Sequence, residues 1–585
     1  DHQLLAAEAP TDMSEDLVSP ETRVSTEGVL RTRLVVAPLS IPIGPSTGSP
    51  ILLNVRAYEG TVPGPTFRIK PGDQLRTMQG RIVGWPNVTN IHVHGLHVSP
   101  SGDADNIYRR AAPGETLEYV YHLPINHYPG TFYYHPHYEG SDSVQVLGGM
   151  GGAIIVEDPP DTTPMELSSM RDLVILFQEI NLVSGLLRNY AAVSRVSGSR
   201  MPLFTSGGGE PSSADSKFHF IAVFDPTLSA PSFTQVNGKF QPVVHLSPGE
   251  AVRLRLIHAG VNDHLNITLK GGVGGNTNKT AGGCTMLTLA RDGVYLSSPR
   301  DQPQGFIMGP GSRADVGVQC SEAGMFHLVS SASKAGKGMV YLGNDTDLFE
   351  GTLVFLEVSG QAVDMKLPTE LPTPLGKARL LQDLRNIPED EVSRYIFEFN
   401  QDGKVYPSGP TAYTWYGING HQYDPDYIMR TVPLNSVEEW VIVNQRLGRG
   451  CPSPGPAPPL EDAQTTAEEG GVGGRPGSDT HGRRRLRHDS GSTECGGGGS
   501  DNGETTFTGH PFHLHVNHFQ LVRSSWEEGG PDWQVGDWRD TISIPSPGNV
   551  TIRWKAYDFT GKAVAHCHIF GHSDTGMMMN FEITP

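Results

Sequence analysis

Three passages of this chain repeat one pattern about 180 residues apart: AYEGTVPGPTFRIKPGDQLRT (57–77), QVNGKFQPVVHLSPGEAVRLRL (235–256) and GINGHQYDPDYIMRTVPLNSVEEWVIV (417–443). Each reads as a tight turn, an apolar strand, a second turn and another strand. Each copy must bury its own apolar face, so three copies imply three β modules rather than one large core. The 70 Gly and 46 Pro agree, as do short runs such as VRLRLIH and DLVILFQEI. Breakers at that density favour short strands joined by turns over long helices. At 585 residues the chain is also too long for a single core.

Composition places the module boundaries. GGMGGAIIVEDPPDTTP (148–164) ends a strand and enters a linker, and VSGQAVDMKLPTELPTPLGKAR (358–379) separates the second module from the third. The expected modules are therefore 1–165, 166–375 and 376–585. Residues 447–509 form a low-complexity insertion in the third, with CPSPGPAPP, TAEEGGVGG, the basic cluster Arg483, Arg484, Arg485 and Arg487, and ECGGGGS. Such a segment buries too little apolar surface to offset its ordering entropy, so disorder is expected. A solvated loop is the plain reading of it, and a lid or docking segment the alternative.

Chemistry concentrates in four His-x-His pairs: His92/His94 in IHVHG, His135/His137 in YYHPHYEG, His513/His515 in GHPFHLHVNHF, and His566/His568 in HCHIFGHSDTGMMM. With 23 His in the chain, about one such pair is expected by chance. In an extended strand, residues i and i+2 share a face roughly 6.6 Å apart, close enough for two imidazoles to serve one metal or neighbouring metals. Eight imidazoles suffice for a three-metal cluster. Cys567 points to the face opposite His566 and His568. With His572, a weak axial Met577 and a His from elsewhere, it makes the His2Cys plus Met set of a blue-copper site. One peptide thus bridges two metal centres. Met578 and Met579 extend the run but read as core packing rather than as a soft-metal site.

HVHG, HPH, HPFHLH and HCHIFGHSDTGM, in this order and at these distances, resemble the four copper motifs of the multicopper oxidases, and the resemblance covers essentially the whole chain. It implies an all-β fold of three cupredoxin-like Greek-key sandwich or barrel domains. It also implies four copper ions, one type 1, one type 2 and two type 3. Carried over by motif, His510, Cys567, His572 and Met577 hold the type 1 copper. His92 and His513 hold the type 2 copper, and His94, His135, His137, His515, His566 and His568 the type 3 pair. The cluster would lie between the first and third modules, leaving the middle one as a spacer and one wall of the substrate cleft. Asp105 in SGDADN resembles the family's acid beside the type 2 copper, ahead of Asp103. Ser573 stands where bacterial relatives often place a second relay acid, and Asp574 is the substitute. Cys567 carries electrons onward through the adjacent His566 and His568. His97 and His518 are candidates for the outer shell of the site, whereas His258 and His421 have no motif role.

The implied activity is a laccase-like oxidation of phenols or aromatic amines, four one-electron steps coupled to reduction of dioxygen to water. An oxidase of Fe(II), Mn(II) or Cu(I) is the enzymatic alternative, and a copper-binding protein without turnover the non-enzymatic one. A formal charge of −19 argues against nucleic acid or an anionic membrane as main partner. No run approaches the roughly eighteen apolar residues of a membrane span. A monomer is expected. The chain opens at Asp1 without an apolar signal segment, which suggests removal of a targeting peptide and a secreted protein, with the periplasm as alternative. Cys284, Cys320, Cys451 and Cys495 allow three pairings; the economical one joins Cys284 to Cys320 and Cys451 to Cys495, in an oxidising compartment. Sequons at Asn87, Asn266, Asn278, Asn344 and Asn549 allow glycosylation.

Overall fold

The computed structural model describes residues 15–43, 51–80, 88–181, 232–272, 282–303, 305–330, 351–372, 379–406, 413–444, 509–525, 533–544 and 548–585. The insertion 447–509 lies outside these except for Gly509, as do Cys451 and Cys495. The described residues are nearly all β, arranged in six sheets. No described helix is long and apolar enough to cross a membrane.

The repeated passages become one pairing pattern used three times. In the first, Val29–Ile43 pairs antiparallel with Ile51–Tyr58 and parallel with Gln74–Gly80, while Thr66–Ile69 lies parallel to Gly152–Val156. In the second, Arg171–Asn181 pairs antiparallel with Ser232–Val236 and parallel with Ala251–His258, while Val243–Leu246 lies parallel to Gly351–Val358. The third repeats this with Val392–Tyr406, Tyr413–Ile418 and Val437–Asn444, and with Ile428–Pro433 parallel to Met578–Thr584. In each copy the turn between the two repeated strands sends the chain from one sheet to the other, so two sheets face each other over one core. Three separate cores result, filled for instance by Leu34 and Phe132, by Leu254 and Phe326, and by Trp440 and Trp554. Those two Trp rings meet edge to face at 5.1 Å, an arrangement that adds about 0.5–1.5 kcal/mol to burial. The fold is the cupredoxin-like β-sandwich expected from the motifs.

Half-buried charges join the first sheet pair to the second. Arg68 reaches Asp172 at 2.8 Å, the buried Arg255 bonds the same carboxylate at 2.7 Å, and Arg255 also donates to Thr131 at 3.0 Å. Cys284 and Cys320 face each other across neighbouring strands and form a disulfide. Asn266 is fully buried, so that sequon takes no glycan in the folded chain.

Candidate metal centre

Strand pairing assembles the ligands. His92–His94 is the edge strand of its sheet and pairs with Gly130–His135, setting His92 opposite His135. In the third sheet pair, His510–Leu514 pairs with Gly561–Cys567, setting His513 opposite His566 and Phe512 opposite Cys567. The alternation expected of a strand holds. The His566 and His568 rings stack at 5.5 Å on one side, while Cys567 enters the apolar core on the other with Met577 and Met579.

Cys567, His510 and His572 form the first cluster. The Cys567 Sγ lies 3.4 Å from His510 Nδ1 and 3.6 Å from His572 Nδ1, and the two nitrogens are 3.2 Å apart. Met577 is fully buried beside them, its carbonyl accepting the Cys567 N–H at 3.1 Å. Burial pushes the Cys567 thiol far up and pulls His510 down to about 3. Tyr416 stacks on His572 with 4.0 Å between ring centroids.

The other eight imidazoles converge between the first and third sheet pairs. His137 and His515 each bring Nε2 to His566 Nε2, at 3.0 and 3.2 Å, and His94 Nδ1 lies 3.2 Å from His568 Nε2. His135 groups with His94 and His92, and His92 with His513 and His515. Desolvation lowers every one of these groups, His135 to about 3 and His566 to about 4, so the rings are neutral and present lone pairs. His92 Nε2, His135 Nε2 and His513 Nε2 are buried with no hydrogen-bond partner. Buried nitrogens left unbonded and facing one another are costly unless a cation lies between them. Nitrogens about 2.0–2.1 Å from a shared ion stand about 3–3.5 Å apart, as those of His137 and His515 do from His566 and that of His94 does from His568. The donor sets therefore fit copper: two imidazole nitrogens and a cysteine sulfur in one cluster, imidazoles alone in the other.

The opposite ring nitrogens are anchored. Nδ1 of His92 meets Asp105 at 2.9 Å, and Nδ1 of His135, His513 and His566 faces the carbonyls of Pro136, Asp540 and Cys567. His94 is inverted: its Nε2 faces the Asp540 carboxylate at 3.2 Å. Asp105 is buried and also accepts the Val93 N–H, whereas Asp103, ranked behind it from the sequence, is exposed. Burial pushes the Asp105 carboxyl up to about 8, against the pull of the Val93 bond.

Asp574 accepts Gly140 N–H at 2.7 Å, Ser143 N–H at 3.1 Å and the Ser143 hydroxyl. It hydrogen-bonds Asp142, whose carboxyl is held well above its ordinary range by burial first and by Asp574 second. Sequence reasoning missed Asp142, which no motif marks. His518 bonds Tyr128 and the Asp292 carbonyl and approaches Asp540 at 3.3 Å, while His97 donates to the Val516 carbonyl. His258 is a core residue bonded at both nitrogens, and His421 is exposed.

Models of multicopper oxidase domains match residues 50–161 and 500–585. The multicopper oxidase mco of Staphylococcus haemolyticus is 22% identical over 531 residues, 91% of this chain and 84% of that protein. Among solved structures, a Campylobacter jejuni multicopper oxidase described as a metallo-oxidase superposes with a TM-score of 0.59 at 19% identity, covering 98% of both chains. A laccase from Pediococcus acidilactici gives 0.61 at 16%, covering 99% of this chain and 95% of that one. The structural likenesses establish the fold. The matched segments carry all four histidine motifs, and together with the curated relatives and the solved structures they indicate a multicopper oxidase, an oxidoreductase that uses oxygen.

Proposed function

We propose that the chain is a laccase-like oxidase that takes single electrons from phenols or aromatic amines and reduces dioxygen to water. In this reading His510, Cys567, His572 and Met577 hold the type 1 copper. His92 and His513 hold the type 2 copper, and the other six motif histidines hold the type 3 pair. The modules divide at 1–165, 166–375 and 376–585. The observation that carries the reading is one peptide in two clusters: Cys567 belongs to the first, and its neighbours His566 and His568 to the second. Bound copper supplies storage of single electrons and the four-electron reduction of oxygen. The protein supplies the rest. Cys567 gives a covalent path between the two sites. Asp105 orients His92 and stands where a proton is needed, and Asp574 hydrogen-bonds Asp142, whose carboxyl burial holds well above its ordinary range. The Tyr416 ring stacked on His572 sets an aromatic face against the first cluster, which supports an aromatic donor.

Exposed carboxylates favour a second reading. Glu139 and Asp424 are exposed and act together on Tyr423, whose backbone N–H bonds the Gly576 carbonyl next to Met577. That charge would suit a metal-ion donor, as in the metallo-oxidase that the fold resembles. Oxygen uptake by the copper-loaded protein separates the readings, with a phenol panel run beside Fe(II), Mn(II) and Cu(I) while the blue absorption is recorded. Uptake with phenols is the expected result. Uptake with a metal ion alone would replace the first reading by the second, and bound copper without uptake would remove both.

A further inference from the structure

We infer that Arg313, a residue of the middle sheet pair, is a positioning residue for the copper ligands. Through Asp540 it fixes which nitrogen of His94 and of His513 bears the proton, and hence which faces the metal. The inference rests on the copper assignment proposed above.

Arg313 opens the strand Arg313–Cys320 and is fully buried. Its guanidinium grips Asp540 with both ends, Nη1 donating to Oδ1 at 2.6 Å and Nη2 to Oδ2. This bidentate geometry orients a carboxylate as well as binding it. The remaining donors fix the guanidinium itself: Nε reaches the Thr131 carbonyl of the first sheet pair at 3.3 Å, and Nη1 the Gly311 carbonyl of its own module at 2.9 Å. Asp540 then meets two ligands. Its carboxylate faces His94 Nε2 at 3.2 Å, and its main-chain carbonyl faces His513 Nδ1 at 2.9 Å. A carboxylate and a carbonyl only accept, and the Thr541 hydroxyl, 3.1 Å from His94 Nε2 and 3.3 Å from His513 Nδ1, donates its own proton to Asp540 Oδ1 at 2.9 Å, so both nitrogens carry protons. The lone pairs fall on His94 Nδ1 and His513 Nε2, the atoms turned toward the cluster. Asp540 thereby imposes the inverted orientation that sets His94 apart from His92, His135, His513 and His566.

Two glycines show how tightly this arrangement is built. Gly95, the last residue of HVHG, has φ +87°, and a Cβ there would overlap Arg313 Nη2 and Asp540 Oδ2. Gly311, also at φ +87°, has room for no side chain because a Cβ would lie 2.8 Å from His568 Cδ2. The middle sheet pair thus bears directly on the ligands and does more than space the modules that supply them.

The test begins with the native protein freed of copper, its histidines labelled with nitrogen-15 so that each tautomer is read directly. His94 protonated at Nε2 and His513 at Nδ1 is the expected result; the reverse at His94 overturns the inference whether or not any variant folds. Copper affinity and spectra are then compared for Arg313→Met, Arg313→Lys and Arg553→Met, the last breaking a buried ion pair with Glu439 in the third sheet pair. Arg313→Met should weaken copper binding by the histidine cluster about 10- to 100-fold, uncouple the type 3 pair in electron spin resonance, and leave the blue absorption intact. Arg313→Lys should recover part of the loss, and Arg553→Met should cost stability without changing the spectra. Unchanged copper affinity in Arg313→Met, or an equal spectral loss in Arg553→Met, would show a merely structural role. A native protein that takes up copper but consumes no oxygen would count against the proposed function and leave the tautomer result standing.

Discussion

Asp105→Ala removes the one carboxylate that accepts both the His92 Nδ1–H at 2.9 Å and the Val93 N–H at 3.0 Å, at a position only 3% exposed. Water has little access there, so both donors are left buried and unpaired. At about 1–3 kcal/mol each, the folded protein loses about 2–6 kcal/mol. Asp105→Asn is the sharper probe because it keeps the volume. Its amide oxygen can serve one donor while its NH2 confronts the other, so about half of that loss is expected, about 1–3 kcal/mol.

The copper effect is separate from the stability effect. Losing the acceptor behind a metal-bound imidazole typically weakens affinity about 10- to 100-fold, or about 1.4–2.8 kcal/mol. It should fall on the type 2 copper, because His92 and His513 share that site in the assignment. Removing a positioned proton donor should slow oxygen reduction by about 10²–10⁴. The assay is chelator extraction followed by electron spin resonance, with oxygen uptake measured on the same samples. The blue absorption is the internal control, since Cys567, His510 and His572 do not touch Asp105. An Asn variant that keeps type 2 copper and full oxygen uptake would refute the reasoning, and so would one that loses type 2 copper and the blue centre in equal measure.

Cys567→Ser should bleach the blue absorption and abolish oxygen uptake while the histidine clusters still take copper; surviving uptake would eliminate the Cys567 path. Tyr416→Ala uncovers a face of His572, costs about 0.5–1.5 kcal/mol of ring contact, and lets in water that stabilises the more highly charged copper. Redox titration should show a lower potential, and an unchanged one would mean that the ring only packs. His258 is held neutral in the folded chain, donating from Nε2 to the Asp263 carbonyl and accepting the Gly260 N–H at Nδ1. Burial lowers it from 6.5 to about 4. The unfolded chain therefore binds the proton first as pH falls. The stability it contributes is complete above about pH 6.5 and is lost progressively toward pH 4, by at most about 3 kcal/mol. Urea unfolding of the copper-free protein should show a shallower loss across that window in His258→Gln; an identical slope would assign the acid sensitivity to other groups.

What the sequence made legible was local. A His-x-His pair is a two-residue pattern, and strand geometry alone places both rings on one face, so the eight histidines of the four pairs could be read without a fold, whereas His510 came from the motif resemblance. The repeat was legible for the same reason, because each copy lies within about 20–30 residues. Its partners were not: Thr66–Ile69 completes its sheet with Gly152–Val156, and nothing local names that strand. The outer shell is less legible still. Asp540 is 446 residues from His94 and 227 from Arg313, and neither charge differs in sequence from those that only solvate a surface. The middle module reads as a spacer because hydrogen-bonded positioning leaves no periodicity. Yet it leaves one local trace. The glycine that closes HVHG has a physical cause: its missing side chain is the space in which a residue from the middle of the chain grips one from the end. A sequence reader who asks what fills the space beside such a glycine is asking for the outer shell, and here the answer is the Arg313–Asp540 pair.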